Sequence, residues 1–315
     1  MKHLFIVNPC AGKFDRSHEL QTRVSAFMAG RNLDWEIVVT RYAGHAIEYA
    51  AKASAAGKPL RIYACGGDGT LNECTAGAAG YANAAVTHYP MGSGNDFIRM
   101  FGPDAGRFQD LPALLEGPQA PADLIDCNGR LALNVCSVGL DARVGLGMRD
   151  FKRLPLVGGS LAYQLSTLRC FVQGIHRPYR VEVDGEELPE REFTLVCACN
   201  GRYYGGGFNP SRSAMPDDGV LDFIVIRAVS RLTVAALIGT YAKGGAPDIP
   251  DRALVRRGHS LRVSCGQEEM VNLDGERMDA QDLTIRLSEK RVNFFFPQGA
   301  HWNPARRRQG GPPTR

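Results

Sequence analysis

Up to about residue 120 the chain alternates short apolar runs with helix-period segments, and this alternation restricts the fold more than any other feature. The run HLFIV ends at Asn8-Pro9, and Ser17 is placed to cap HELQTRVSAFMA, which stops at Gly30. WEIVV ends at Thr40, HAIEYAAKASAA closes at Gly57, and LRIYAC, the Ala-rich LNECTAGAAG and AVTHYP follow. Strands separated by helices pair in parallel, so this half predicts βαβ units around a parallel sheet. Ligands of such sheets bind beyond the carboxyl ends of the strands. Asn8, Thr40, the turn Gly66–Thr70 and the turn Gly92–Asp96 all fall at those ends.

Near residue 124 the punctuation changes. Asn128-Gly129 and Asp184-Gly185 each separate two apolar runs, the strongest short-range hairpin signal. FTLVCAC, GVLDFIVI, SLRVSC, LTIRL and RVNFFF follow as strand patterns, with helical patterns near residues 160–175 and 231–243. This half predicts a mostly antiparallel β-sandwich. The tail ARRRQGGPPTR is basic and rich in Gly and Pro.

The stretch YACGGDGTLNE sets three glycines around Asp68 directly after an apolar run. Each Gly in a regular element costs roughly 0.5–1 kcal/mol relative to Ala, so the turn needs its bare backbone for something. A glycine turn between strand and helix offers amides and a positive helix terminus to an anion. GSGNDF repeats the arrangement after the next strand and adds a second carboxylate, Asp96. Amides that cradle phosphates beside carboxylates that hold Mg²⁺ are what phosphoryl transfer requires. The chain has neither GxxxxGK[ST] nor GxGxxG, which excludes a P-loop NTPase and a Rossmann dinucleotide fingerprint.

Composition narrows the class further. At 44% hydrophobic and 22% charged, the 315 residues read as a globular chain of about two domains. The net charge of +4 suits anionic substrates or an anionic membrane surface. No apolar stretch approaches the ~20 residues that span a bilayer, and the run LFIV is too short for a signal peptide. Nine cysteines without CxxC or zinc spacing read as small apolar residues in a reducing cytoplasm, with Cys197 and Cys199 on one side of a strand. The scattered histidines have no ligand spacing, and His45 opens a helix.

GGDGT followed by GSGNDF resembles the diacylglycerol kinase catalytic domain, of the bacterial soluble lipid kinase type. VNPCAG, TRYAGHA, GGGFNPSRSAMPDDGVLDF and VNLDGE are similar to further motifs of that family, in the same order. The resemblance implies an α/β nucleotide-binding domain at 1–124, a β-sandwich lipid-substrate domain at 125–297, and a basic tail at 298–315, disordered or packed back on the first domain. It implies ATP contacts at Asn8, Thr40, Gly66, Gly67, Asp68, Gly69, Thr70 and Ser93, the last where the family usually has Thr. Asp68 and Asp96 would organise catalytic Mg²⁺, and Glu276 would be the general base. The Asp218 carboxylate, with the carbonyls of Met215 and Val220, would hold a second, structural Mg²⁺. The implied activity is transfer of the γ-phosphoryl of ATP to a lipid hydroxyl by a cytoplasmic enzyme at a membrane surface. No nucleic acid is implied, and a homodimer is left open. A NAD or sugar-phosphate kinase shares the GGDG turn and stays open as an alternative, as does a non-catalytic nucleotide-binding regulator.

Overall fold

The computed structural model describes residues 1–152 and 159–302. The chain divides into two units: residues 1–123 with the chain from Glu289 onward, and Leu124–Ser288.

In the first unit β1 (Lys2–Val7), α1 (Ser17–Met28), β2 (Asp34–Val39), α2 (His45–Ala55), β3 (Leu60–Gly66), α3 (Asp68–Ala78) and β4 (Ala84–Pro90) realise the predicted alternation. The four strands pair in parallel in the order β2-β1-β3-β4. Leu4 to Val7 of β1 have no exposure, and β4 is buried throughout, as in a parallel sheet covered on both faces. Ser17 is the first helical residue of α1 rather than its cap; the Asp15 carboxylate, two residues earlier, accepts the Ser17 N–H at 2.8 Å. His45 opens α2, and its Nδ1 accepts the Arg41 N–H at 3.3 Å. After β4 a 3₁₀ segment (Phe97–Gln109) leads to α4 (Leu111–Leu115) and β5 (Gln119–Ala122).

The predicted domain boundary at 297 is not where the fold divides. The strand Val292–Phe295 joins the first unit, parallel to β4 through Asn293 opposite Ala85, and antiparallel to β5. Its Phe294 sits in an aromatic cluster with Phe97, Phe101, Phe108 and Trp302. The run RVNFFF would suit either sheet locally; long-range burial of these rings against the 3₁₀ segment decides. Trp302 carries the start of the tail back onto the first unit, meeting Phe97 edge-on and Phe101 at a tilt. The rest of the tail, with the arginines at 306–308, lies outside the described residues.

The second unit contains β6 (Ile125–Cys127), β7 (Arg130–Ala132), β8 (Val135–Gly139), α5 (Leu140–Lys152), α6 (Gly159–Gln173), β9 (Arg177–Pro178), β10 (Arg180–Val183), β11 (Glu186–Glu187), β12 (Glu192–Cys199), β13 (Leu221–Arg227), α7 (Arg231–Tyr241), β14 (Ala253–Gly258), β15 (Ser260–Leu273) and β16 (Glu276–Leu287). The strands form one eleven-stranded sheet. β15 makes it sandwich-like: before an irregularity between Ser264 and Glu269 it pairs with β10, and beyond it with β8. That change of neighbour lets one sheet enclose a single core containing Val138, Val181, Phe193, Phe223, Val263 and Val271. The predicted hairpins form, with Asn128 at φ 51° and Asp184 at φ 48°. Helix α5 is not among the helices predicted from the sequence. The nine cysteines are thiols, eight of them buried, and Cys197 and Cys199 bring their Sγ atoms within 3.4 Å on one side of β12. Among the described residues no helix is long and apolar enough to cross a membrane.

Candidate active site

The ends of β1, β2 and β3 are laced together. Thr40 donates its N–H to the Val7 carbonyl at 2.8 Å, and Asn8 donates its own to Cys65 at 2.9 Å. The Asn8 amide then reaches Thr70 Oγ1 in the first turn of α3 at 3.0 Å. Three of the sequence-predicted nucleotide contacts, Asn8, Thr40 and Thr70, therefore sit on one sheet edge with the Gly66–Gly69 turn. Gly67 is the N-cap of α3, so no side chain caps this helix terminus. A bare N-terminus with its dipole is an anion site.

The second turn folds onto the first. Met91 and Gly92 both donate to the Gly66 carbonyl, at 2.8 and 3.1 Å. A Cβ on Gly92 would lie 2.5 Å from the Gly67 Cα, a backbone clash, whereas a Cβ on Gly67 would meet the Gly92 Cα at an ordinary 3.4 Å. The two substitutions should separate. Gly92→Ala is expected to destabilise the fold by about 1–3 kcal/mol, the usual range for overpacking. Gly67→Ala should leave the melting temperature near wild type and weaken ATP binding in a calorimetric titration. An unchanged ATP affinity in folded Gly67→Ala would remove this turn from phosphate binding. Ser93, at the tip of the second turn, is exposed.

The carboxylates meet at Gly94. Asp68 Oδ1 accepts the Asp96 N–H at 2.6 Å. A Cβ on Gly94 would stand 2.6 Å from Asp68 Oδ2 and 3.3 Å from Asp96 Oδ2. One guanidinium, Arg99, pairs with Asp96 at 2.9 Å. Two carboxylates beside one cation would repel a phosphate drawn to the α3 terminus. An oxygen-rich, net negative pair of this kind fits Mg²⁺, which takes oxygen ligands and is commonly bound by one or two carboxylates plus substrate phosphates. His88 supports the turn from below: it is fully buried, burial lowers its pKa, and its Nε2 lies 3.0 Å from the Gly66 carbonyl. The neutral ring with Nε2 protonated satisfies that contact. A cavity of about 390 Å³ opens beside the second turn, lined by Arg16, Met91, Asn95, Ile98 and Arg99 among others. Its mixture of apolar wall and guanidinium groups suits a nucleotide.

Glu276 stands in the second unit on a braced hairpin. Asp274 and Gly275, at φ 52° and 88°, turn the chain from β15 into β16. The Asp274 carboxylate accepts the N–H groups of Leu133, Asn134 and Val135 at 2.7 to 3.1 Å. Asn272 Oδ1 takes the Gly275 N–H at 2.8 Å. Asp274 therefore fixes the turn, and Glu276, half-buried as the first residue of β16, is presented by it.

The residues matched to a structural Mg²⁺ do not fit that ion. Asp218 Oδ2 is taken by the Arg257 guanidinium and its Oδ1 by the Val220 N–H at 3.3 Å. Arg257 Nε also donates to Asp222 Oδ1 at 3.1 Å, and Ser211 and Ser213 donate to Asp222 Oδ2. A guanidinium thus already neutralises the carboxylates of the loop that carries Met215, Asp218 and Val220. EDTA is accordingly expected to leave the melting temperature unchanged, and Arg257→Ala to lose about 2 kcal/mol, the scale of a charged hydrogen bond. A Mg²⁺-dependent rise in wild-type melting temperature that vanishes in Asp218→Ala would restore the ion.

Sequence reasoning did not reach several supporting side chains. Glu73 of α3 accepts the N–H groups of Gly44 and Ala46 at 3.0 and 3.3 Å and so caps α2 across the sheet edge. His88 and the carboxylate of Asp274 were equally silent, because their partners are distant in sequence, whereas Arg99 pairs with Asp96 only three residues away. Asp141, at the start of α5, has its carboxyl raised to about 6 by burial, beside Ser137 and Tyr204.

The fold combines an α/β unit carrying paired glycine turns with an antiparallel β unit, the architecture of lipid kinases of the diacylglycerol kinase type. Residues 2–127 match the diacylglycerol kinase catalytic domain, and residues 134–295 the YegS C-terminal NAD kinase beta sandwich-like domain. A Pseudomonas aeruginosa (strain PAO1) protein named "Probable lipid kinase YegS-like" is 32% identical over 294 residues, covering 92% of this chain and 93% of its own. A protein of the same name from Xanthomonas oryzae pv. oryzae is 29% identical over 297 residues, covering 91% and 94%. The solved structure of a diacylglycerol kinase from Bacillus anthracis str. Sterne shares the fold at a TM-score of 0.67 and 23% identity, covering 96% and 97%. The chain belongs to the YegS-like family of lipid kinases.

Proposed function

We propose that this chain is an ATP- and Mg²⁺-dependent kinase that phosphorylates a lipid hydroxyl, that of diacylglycerol or a related lipid. The observation that carries the reading is the convergence of Asp68 and Asp96 at Gly94, beside the side-chain-free N-terminus of α3. In this reading Asn8, Thr40, Ser93 and the amides of Gly66 to Thr70 hold the phosphates of ATP. Asp68 and Asp96 would hold Mg²⁺, which supplies positive charge to the phosphates when bound. Glu276 takes the proton of the lipid hydroxyl as its oxygen bonds to the γ-phosphorus. The bond from that phosphorus to the bridging oxygen breaks, and ADP departs with the electron pair. An alcohol is a poor nucleophile, and a positioned carboxylate contributes roughly 10²–10⁴-fold. The enzyme works from the cytoplasm at a membrane surface, with a lipid and ATP as its substrates.

The test is γ-labelled ATP offered with a total lipid extract, and in parallel with NAD and with fructose 6-phosphate. Label is expected in a chloroform-soluble product. Label in NAD or the sugar phosphate, with none in the organic phase, would replace the lipid reading and leave the ATP site standing. Nucleotide binding with no transfer to any acceptor would instead mark a non-catalytic regulator.

A further inference from the structure

We propose that α7, together with the last turns of α6, is the surface by which this chain docks on an anionic bilayer. The proposal rests on the lipid-kinase reading above for its biological sense, but its observations and its test are separate.

Helix α7 reads RLTVAALIGTY, and none of its residues is buried. Leu232 is 83% exposed and Ile238 38%. The inner face of the helix packs on the unit through Tyr241, whose hydroxyl meets that of Tyr204 at 3.1 Å, while Leu232 and Ile238 are left on the outside, where an exposed apolar side chain gains nothing from folding. The helix is nevertheless well specified: Ser230 caps it by accepting the Thr233 N–H at 3.1 Å. Arg231 ties its start to the end of α6, its Nε donating to the Phe171 carbonyl at 2.6 Å. That contact joins the start of α7 to the last turns of α6, where Leu168 is 61% and Val172 76% exposed. Three large apolar side chains on two adjoining helices therefore face outward.

Charge selects the occupant. Neither α6 nor α7 carries an acidic residue. Arg169 lies on α6, Arg231 opens α7 and Lys243 follows its end. Arg169 pairs with Asp150 at 2.9 Å, leaving Arg231 and Lys243 as cations at the two ends of the apolar helix. Apolar side chains between terminal cations match an interface of acyl chains below anionic headgroups. At 1.5 Å per residue the helix is roughly 16 Å long, too short to span a bilayer and suited to lying along one.

The experiment is flotation of the full chain, without ATP, on phosphatidylcholine vesicles with and without about one-third phosphatidylglycerol, a fraction chosen to give strong surface charge. Wild type is expected to float with the anionic vesicles and to be released by high salt. Leu232→Glu with Val172→Glu should weaken the partition at least about tenfold, since each replaces an exposed apolar side chain with a charge the headgroups repel. Leu232→Gln should weaken it to a lesser degree, and provides the same reading should the charged variant fold poorly. Arg231→Gln should weaken it by about fivefold. Phosphorylation of a detergent-dispersed lipid should be equal in wild type and variants. Docking without any kinase activity would sink the catalytic reading alone. Equal flotation of wild type and variants would overturn the docking face. So would a wild-type dimer that the glutamates dissociate without changing flotation, which would make this face a contact between copies.

Discussion

Glu276→Gln is expected to lower turnover at least roughly 10²-fold, the lower range for a general base, with the KM for ATP almost unchanged. The amide keeps the shape of the side chain and loses only its ability to take a proton. The hairpin should survive, because Asp274, not Glu276, accepts the three N–H groups of Leu133, Asn134 and Val135 that fix the turn. Melting curves of wild type and variant should therefore coincide. Near-normal turnover in Glu276→Gln would remove it from the chemistry. Asp274→Asn provides the contrast, since it should reduce folding stability, activity falling only as a consequence.

Asp68→Asn should be nearly as damaging through a different route. Its side-chain oxygen can still accept the Asp96 N–H, so the two glycine turns should remain joined. What is lost is one of the two charges that converge at Gly94. Turnover is expected to fall by about 10²–10³-fold, the scale of removing a preorganised electrostatic partner. The Mg²⁺ concentration for half-maximal rate should rise, while ATP binding measured without metal should change little. Gly94→Ala reaches the same place sterically: its methyl would stand 2.6 Å from Asp68 Oδ2 and force the carboxylate to move. If Asp68→Asn kept both its rate and its Mg²⁺ dependence, the metal would have to be held elsewhere.

The sequence by itself determined the local grammar. Period and punctuation placed β1 to β4, the turns at Asn128-Gly129 and Asp184-Gly185, and the two glycine turns at strand ends, because each rests on residues within a few positions of one another. The motifs also brought out the residues the fold assembles at the sheet edge: Asn8, Thr40, Asp68, Thr70 and Asp96. Whatever depended on distant partners was decided by tertiary structure. Val292–Phe295 carries no local mark of its sheet, and the burial of Phe294 against Phe97 and Phe101 assigned it to the first unit. The motif resemblance matches Asp218 to a metal site, yet Arg257, on a neighbouring stretch of sheet, supplies its cation. Glu73 and Asp274 look like ordinary surface carboxylates until α2 and β8 bring backbone amides to them. Periodicity and turn chemistry act over a few residues and can be read in order along the chain. Charge pairing and burial act across space, and only the folded chain specifies which groups meet.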